Sequence, residues 1–284
     1  MNNRWRVGLA VAAAALFLGV LSPLYERFFG RTRLRFPYQS RPLPEATYTR
    51  LAAQPGWAKA SLEVTAGVSL RGLVRRPTST AAPWVLFYPG NDESQLERGQ
   101  SLLIKLGSAR DWGLAVFAYR GYDSSGGKSE HALLRDDAPL ILAKLCEAQQ
   151  VPPVRVHLVG FSIGGHFAVH AARAAAGSGK RAASLTLLAP VDDIIMYHPS
   201  PWEKLSAGED YQTRPFLAEV PAPVLVVQGT ADEALAGPQQ GRDIAKALGE
   251  RARYVELEGV EHVALLSNPA ALDAARQFIE SHTR

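Results

Sequence analysis

The residues best suited to chemistry lie in the stretch Gly160-Phe161-Ser162-Ile163-Gly164-Gly165, between an apolar run and a helix-like run. A serine buried for packing needs no glycines on both sides. A serine raised on a sharp strand-to-helix turn does, because only residues without bulk let the backbone close beneath an exposed hydroxyl. Serine at its free pKa is a weak nucleophile, so this reading requires a base held by a carboxylate. "GVEHVALL" supplies His262 just after the last apolar run, and "PVLVVQGTADEAL" supplies Asp232 just after the run before it. Asp192 and Asp193, after "SLTLLAP", compete with Asp232 for the acid's place.

The other histidines fit less well. His282 is near the C-terminus, His131 and His198 fall in polar stretches expected to be loops, and His157 is inside a strand. His166 and His170 are spaced i, i+4 on one helix face but lack the intervening glutamate of a zinc-protease motif, so no metal site is expected from them. A tetrahedral intermediate also needs two N–H donors for its oxyanion. Ile163, following the nucleophile, offers one. Asn91 in "WVLFYPGN" offers the other, since Pro89 has no N–H and Gly90 permits close approach.

Positioning these groups takes a particular framework. "SLEVTAGVSLRGLVRRP" alternates around a glycine and reads as an antiparallel hairpin. Six apolar runs follow, at Trp84–Tyr88, Leu114–Ala118, Val154–Val159, Ser184–Leu188, Pro223–Gln228 and Arg253–Leu257. Amphipathic stretches such as "ERGQSLLIKLGSA", "LLRDDAPLILAKL" and "GPQQGRDIAKALG" lie between them. Continuous apolar strands alternating with helices predict an α/β fold with a mainly parallel sheet covered on both faces. In such sheets function gathers at the carboxyl ends of strands, where Ser162, Asp232 and His262 all fall.

The chain order serine, aspartate, histidine is that of the α/β hydrolases and of neither common serine-protease arrangement. The stretches "FYPGNDES", "FAYRGYDSSGGKSE", "GFSIGG", "QGTADE" and "GVEH" carry the likeness further. Over residues 60–280 the chain resembles the membrane-anchored ABHD-type branch of that superfamily, which includes protein depalmitoylases and lysophospholipases. The resemblance implies an eight-stranded sheet, helices on both faces and a short cap near residues 190–220. It also implies a serine hydrolase that cleaves carboxylic esters or thioesters, including acyl lipids or acylated substrates, through an acyl-enzyme and without metal or cofactor. Two positions depart from the pattern: the usual His-Gly-Asn is Pro89-Gly90-Asn91, and the usual glycine after Arg-Gly-Tyr is Asp123. Both bear on the shape of the pocket. In the cap, Met196, Tyr197, Trp202, Tyr211 and Phe216 either wall an acyl chain or pack the cap on the body. An aminopeptidase of the same fold, using Glu203, Glu209 or Asp210 to hold a free amino terminus, is the alternative within enzymes. A non-catalytic membrane-tethered scaffold is the alternative outside them.

Composition narrows the setting. The chain has 284 residues, 47% of them hydrophobic, enough for one sizeable core. Thirty-one basic against 27 acidic residues, without a long block of either, argue against a nucleic-acid surface. The single cysteine, Cys146, excludes an internal disulfide and reads as a small buried residue of a helix. Val7–Tyr25 carries no charge and, as a helix, would rise about 28 Å, close to the thickness of a bilayer core. It is longer than a signal-peptide core and ends on a poor cleavage site, which favours an uncleaved single-pass anchor over residues 1–30. Arginines flank it on both sides; the reading adopted keeps the short tail inside and exports the domain. Residues 31–60, rich in proline, read as an extended linker, and 61–284 as the hydrolase-like domain.

Overall fold

The computed structural model describes residues 41–91, 94–193, 212–234 and 237–283. The expected anchor lies outside the described residues, and among those described no helix is long and apolar enough to cross a membrane. The linker expectation is corrected for the part that is described. Pro44 does not extend the chain but stands as N-cap of helix α1 (Glu45–Ala52), where a missing N–H costs nothing because the first turn has no partner to offer it. Tyr48 and Leu51 of this helix are buried, and the Tyr48 hydroxyl donates to the carbonyls of Ala60 and Gly72 at 3.1 and 2.9 Å.

The hairpin comes next, as β1 (Trp57–Thr65) and β2 (Val68–Arg75). Then follow β3 (Trp84–Tyr88), α2 (Gln95–Leu106), β4 (Gly113–Phe117), α3 (His131–Gln149), β5 (Val156–Phe161), α4 (Ile163–Gly177) and β6 (Ser184–Leu188). After the segment 194–211 come the short α5 (Arg214–Leu217), β7 (Val224–Gly229), α6 (Gln239–Leu248), β8 (Ala252–Leu257) and α7 (Pro269–Ser281). The eight strands form one sheet in the order β1-β2-β4-β3-β5-β6-β7-β8. Only the pairings of β2, with β1 and with β4, are antiparallel. The remaining five pairings are parallel, as the runs predict. Strands β3 to β7 are buried along their whole length, which is why each reads as an unbroken apolar run rather than an alternating one. Edge strand β8 is half-exposed.

His157, second residue of β5, is buried against Ser184 (Nδ1···Oγ 2.8 Å) and Thr283 (Nε2···Oγ1 3.2 Å). This serine–histidine pair lies where β5 and β6 begin, at the opposite end of the sheet from Ser162, and serves packing. Burial, with the neighbouring His282 ring, lowers the His157 pKa from 6.5 to about 4. Its charged form is therefore disfavoured in the native state. As pH falls through 6.5 the unfolded chain takes up a proton that the native one refuses, so stability is full above 6.5 and drains away towards 4. The loss approaches about 3 kcal/mol for this one group. The fully buried His166 is shifted in the same direction, first by burial and then by His131, His170 and Arg135. Urea titrations between pH 7 and 4.5 should show this acid loss, and His157→Gln, which keeps a partner for Ser184, should shrink it.

Candidate active site

Loops at the carboxyl ends of β3, β5, β7 and β8 converge on one edge of the sheet. Ser162 follows β5 directly and adopts φ 54°, ψ −126°, a conformation that L-residues seldom take. Its N–H donates to Leu188 O at 2.9 Å and its carbonyl accepts from Gly165 N at 3.0 Å, which pins the turn on both sides. The turn also presses against the strap 89–91 that leaves β3. A Cβ on Gly164 would lie 2.1 Å from Tyr88 O and 2.3 Å from Pro89 O, so only glycine lets α4 begin beside that strap.

The strap is held from three directions that the sequence reading did not single out. Gln95 Nε2 donates to Gly90 O at 3.0 Å while its Oε1 accepts from Tyr119 N at 2.9 Å. The Tyr119 hydroxyl donates to Pro89 O at 2.9 Å, and the Tyr122 hydroxyl donates to Asn91 Oδ1 at 2.6 Å. Asp123, the departure from glycine, sits at φ 48° and is buried. Its Oδ2 accepts from Leu96 N at 2.7 Å, so it caps α2 with a carboxylate where the helix dipole favours one. An aspartate tolerates the left-handed region better than most side chains, and here it also fixes the helix that carries Gln95.

On the other side, His262 Nδ1 donates to Asp232 Oδ2 at 2.8 Å. The same oxygen accepts from Gln228 Nε2 at 2.8 Å, and Oδ1 accepts from Ala234 N at 2.9 Å. Burial pushes the Asp232 carboxyl up, but the hydrogen bonds from His262, Gln228 and the Ala234 N–H together outweigh it and hold the group below the usual carboxylate range. Gln228 was also missed; the one polar residue ending the all-apolar "VLVVQ" was the available sign. Among the described residues, Ser162 Oγ and His262 make no hydrogen bond to each other. Their elements are nonetheless joined through Phe161, whose ring centroid is 4.8 Å from that of His262.

The structure separates Asp192 and Asp193 from this arrangement. Asp192 pairs with Arg214 and accepts from Arg214 N at 3.1 Å, while the N–H groups of both aspartates donate to Gln240 Oε1 at 2.6 and 3.0 Å. With the Asp193–Gln212 bridge, these contacts clamp the two ends of the segment 194–211. His131 is not in a polar loop: it opens α3 and is buried, its ring 5.2 Å from that of His166. His166 Nδ1 meets Thr213 Oγ1 at 3.2 Å, so this histidine helps to secure the clamp. No cluster able to hold a metal occurs among the described residues. Of the five apolar cap residues, Phe216 packs on α4, 4.5 Å from the His170 ring and beneath the Arg173 guanidinium. Met196, Tyr197, Trp202 and Tyr211 lie outside the described residues, as do Glu203, Glu209 and Asp210.

No family model matches the chain. An uncharacterised protein of Mycobacterium tuberculosis is 29% identical over 288 residues, covering 98% of this chain and 96% of its own. Among solved structures, an α/β hydrolase from Vibrio vulnificus superposes with a TM-score of 0.70 over 90% of this chain and 91% of that one, at 20% identity. A membrane phospholipase A, a bacterial virulence factor, superposes with a TM-score of 0.62 over 99% of both chains, at 16% identity. With the strand order above, these likenesses establish the α/β-hydrolase fold.

Proposed function

We propose that the protein is a serine hydrolase that cleaves carboxylic esters or thioesters through an acyl-enzyme. One observation carries the reading. A buried Asp232, its carboxyl held below the usual range, holds His262 by Nδ1, in a sheet whose strand β5, separated from β7 by β6, ends on a strained serine turn. A histidine fixed in that tautomer leaves Nε2 as the proton acceptor. In the proposed reaction Ser162 Oγ attacks the substrate carbonyl as its proton passes to His262 Nε2. The backbone N–H groups of Asn91 and Ile163 take the charge that builds on the oxygen. His262 then returns the proton to the leaving alcohol or thiol, and a water activated by the same nitrogen releases the acid. No step calls for a metal or an organic cofactor.

An acyl-chain substrate is the reading favoured by location, since the uncharged run at 7–25 would keep the site beside lipid, with the exported face preferred. The fold is shared with a membrane phospholipase A, which supports the same direction. Purified protein should hydrolyse p-nitrophenyl esters and acyl thioesters at rates that rise with chain length from acetate to octanoate, and Ser162→Ala should abolish turnover. Faster cleavage of aminoacyl p-nitroanilides than of any ester would replace this reading with the aminopeptidase one. A membrane-tethered scaffold would hydrolyse none of them.

A further inference from the structure

Phe161 ends β5 and precedes the proposed nucleophile, and only 4% of its surface is exposed. Its side chain is in contact with both halves of the candidate site. On one side its ring faces the His262 imidazole, with centroids 4.8 Å apart and planes inclined at 41°. On the other side it supports the strap. A Cβ added to Gly90 would come within 2.9 Å of Phe161 Cδ1 and 3.2 Å of Cε1, so the Gly90 backbone rests directly on the ring. The strap is tied by Gln95, Tyr119 and Tyr122, and the imidazole is tied at Nδ1 by Asp232. Neither set of hydrogen bonds fixes the gap between strap and imidazole. A single nitrogen–oxygen bond leaves the ring free to swing about it, and none of the ties on the strap is made to the imidazole.

We propose that Phe161 is a positioning residue: its flat ring is the spacer that sets the base and the oxyanion strap at a working separation across Ser162. The proposal rests on the hydrolase reading. It also accounts for a large aromatic ring at the middle position of a Gly-x-Ser turn, where the turn itself places no demand on size. A planar spacer has a face for the imidazole and an edge for the strap, which a branched aliphatic chain of similar volume lacks. A misplacement of about 1 Å in a reacting group costs on the order of 10²-fold in rate, so a loss of at least tenfold is expected when the face is removed.

The test compares Phe161→Leu with Phe161→Tyr, using a p-nitrophenyl ester and monitoring folding by thermal melting. Phe161→Leu should lower kcat at least tenfold with KM within twofold, whereas Phe161→Tyr, which keeps the ring, should stay within threefold of the parent. In a His262→Ala background the Phe161→Leu effect should shrink, because part of it acts through the base. A Phe161→Leu protein that melts lower but turns over at the parent rate would overturn the proposal, as would equal impairment of the leucine and tyrosine variants. Nitrogen NMR of His262 tests the spacer independently of turnover: its ring signals should broaden in Phe161→Leu and remain sharp in Phe161→Tyr. Unchanged signals would overturn the proposal even in an active enzyme. An inactive parent protein with the expected NMR response would instead overturn only the hydrolase reading.

Discussion

Asp232→Asn is expected to lower turnover by about 10³–10⁴-fold while the protein stays folded. The asparagine has the same shape but only one acceptor oxygen. Asp232 Oδ2 accepts from both His262 Nδ1 and Gln228 Nε2, and Oδ1 accepts from Ala234 N. If the amide nitrogen replaces Oδ2, it faces two donors, and relief comes when His262 shifts its proton to Nε2. That tautomer cannot take the serine proton. If the nitrogen replaces Oδ1, it faces the Ala234 N–H and loosens the loop that carries it. Asp192→Asn is the control: it weakens the Arg214 pair and the clamp on segment 194–211, so it should cost stability and leave most of the turnover. Kinetics and melting curves on the two variants should dissociate in this way. The reverse pattern would make Asp192 the acid.

The second large effect concerns Gly164. A methyl group there would lie 2.1 and 2.3 Å from two backbone carbonyl oxygens, and neither atom can move without shifting β3 or the strap. Overpacking against backbone exceeds the usual range of about 1–3 kcal/mol, so Gly164→Ala should fail to fold or melt far below the parent. Gly165→Ala, one residue on, places its Cβ 3.4 Å from Leu187 Cδ2 and should fold normally. Similar melting temperatures for the two variants would show that the approach of strap and helix is looser than the structure has it.

The contrast between these two glycines shows how far a sequence can be read. The pattern Gly-x-Ser-x-Gly-Gly announces a tight turn, but which glycine meets the strap depends on β3 lying beside β5, with Tyr88 opposite Gly160, far apart in the chain. The inner strands were legible because full burial demands unbroken apolar runs, and the observed ends of β3 to β8 fall within two residues of the expected ones. Ser162, Asp232 and His262 stood out as candidates because each follows such a run. Their supports did not. Gln95, Gln228 and Asp123 act on groups that the topology brings to them, and an aspartate capping a helix 27 residues earlier leaves no local signature. His131 was misplaced because the polar "SSGGKSEH" before it hides the start of a buried helix. Helix α1 was missed because proline signals an extended chain and a helix start alike.

The central claim is that Ser162 is activated by the groups around it, and covalent labelling tests it most directly. A fluorophosphonate reacts with a serine only when a base and an oxyanion site assist, so it probes the assembled arrangement without knowledge of the substrate. The full-length protein in membranes should take up one equivalent, with the adduct mapping by peptide mass to Ser162 and disappearing in Ser162→Ala. Labelling should also fall sharply in His262→Ala. A folded protein that stays unlabelled, or an adduct on another residue that survives Ser162→Ala, would contradict the account.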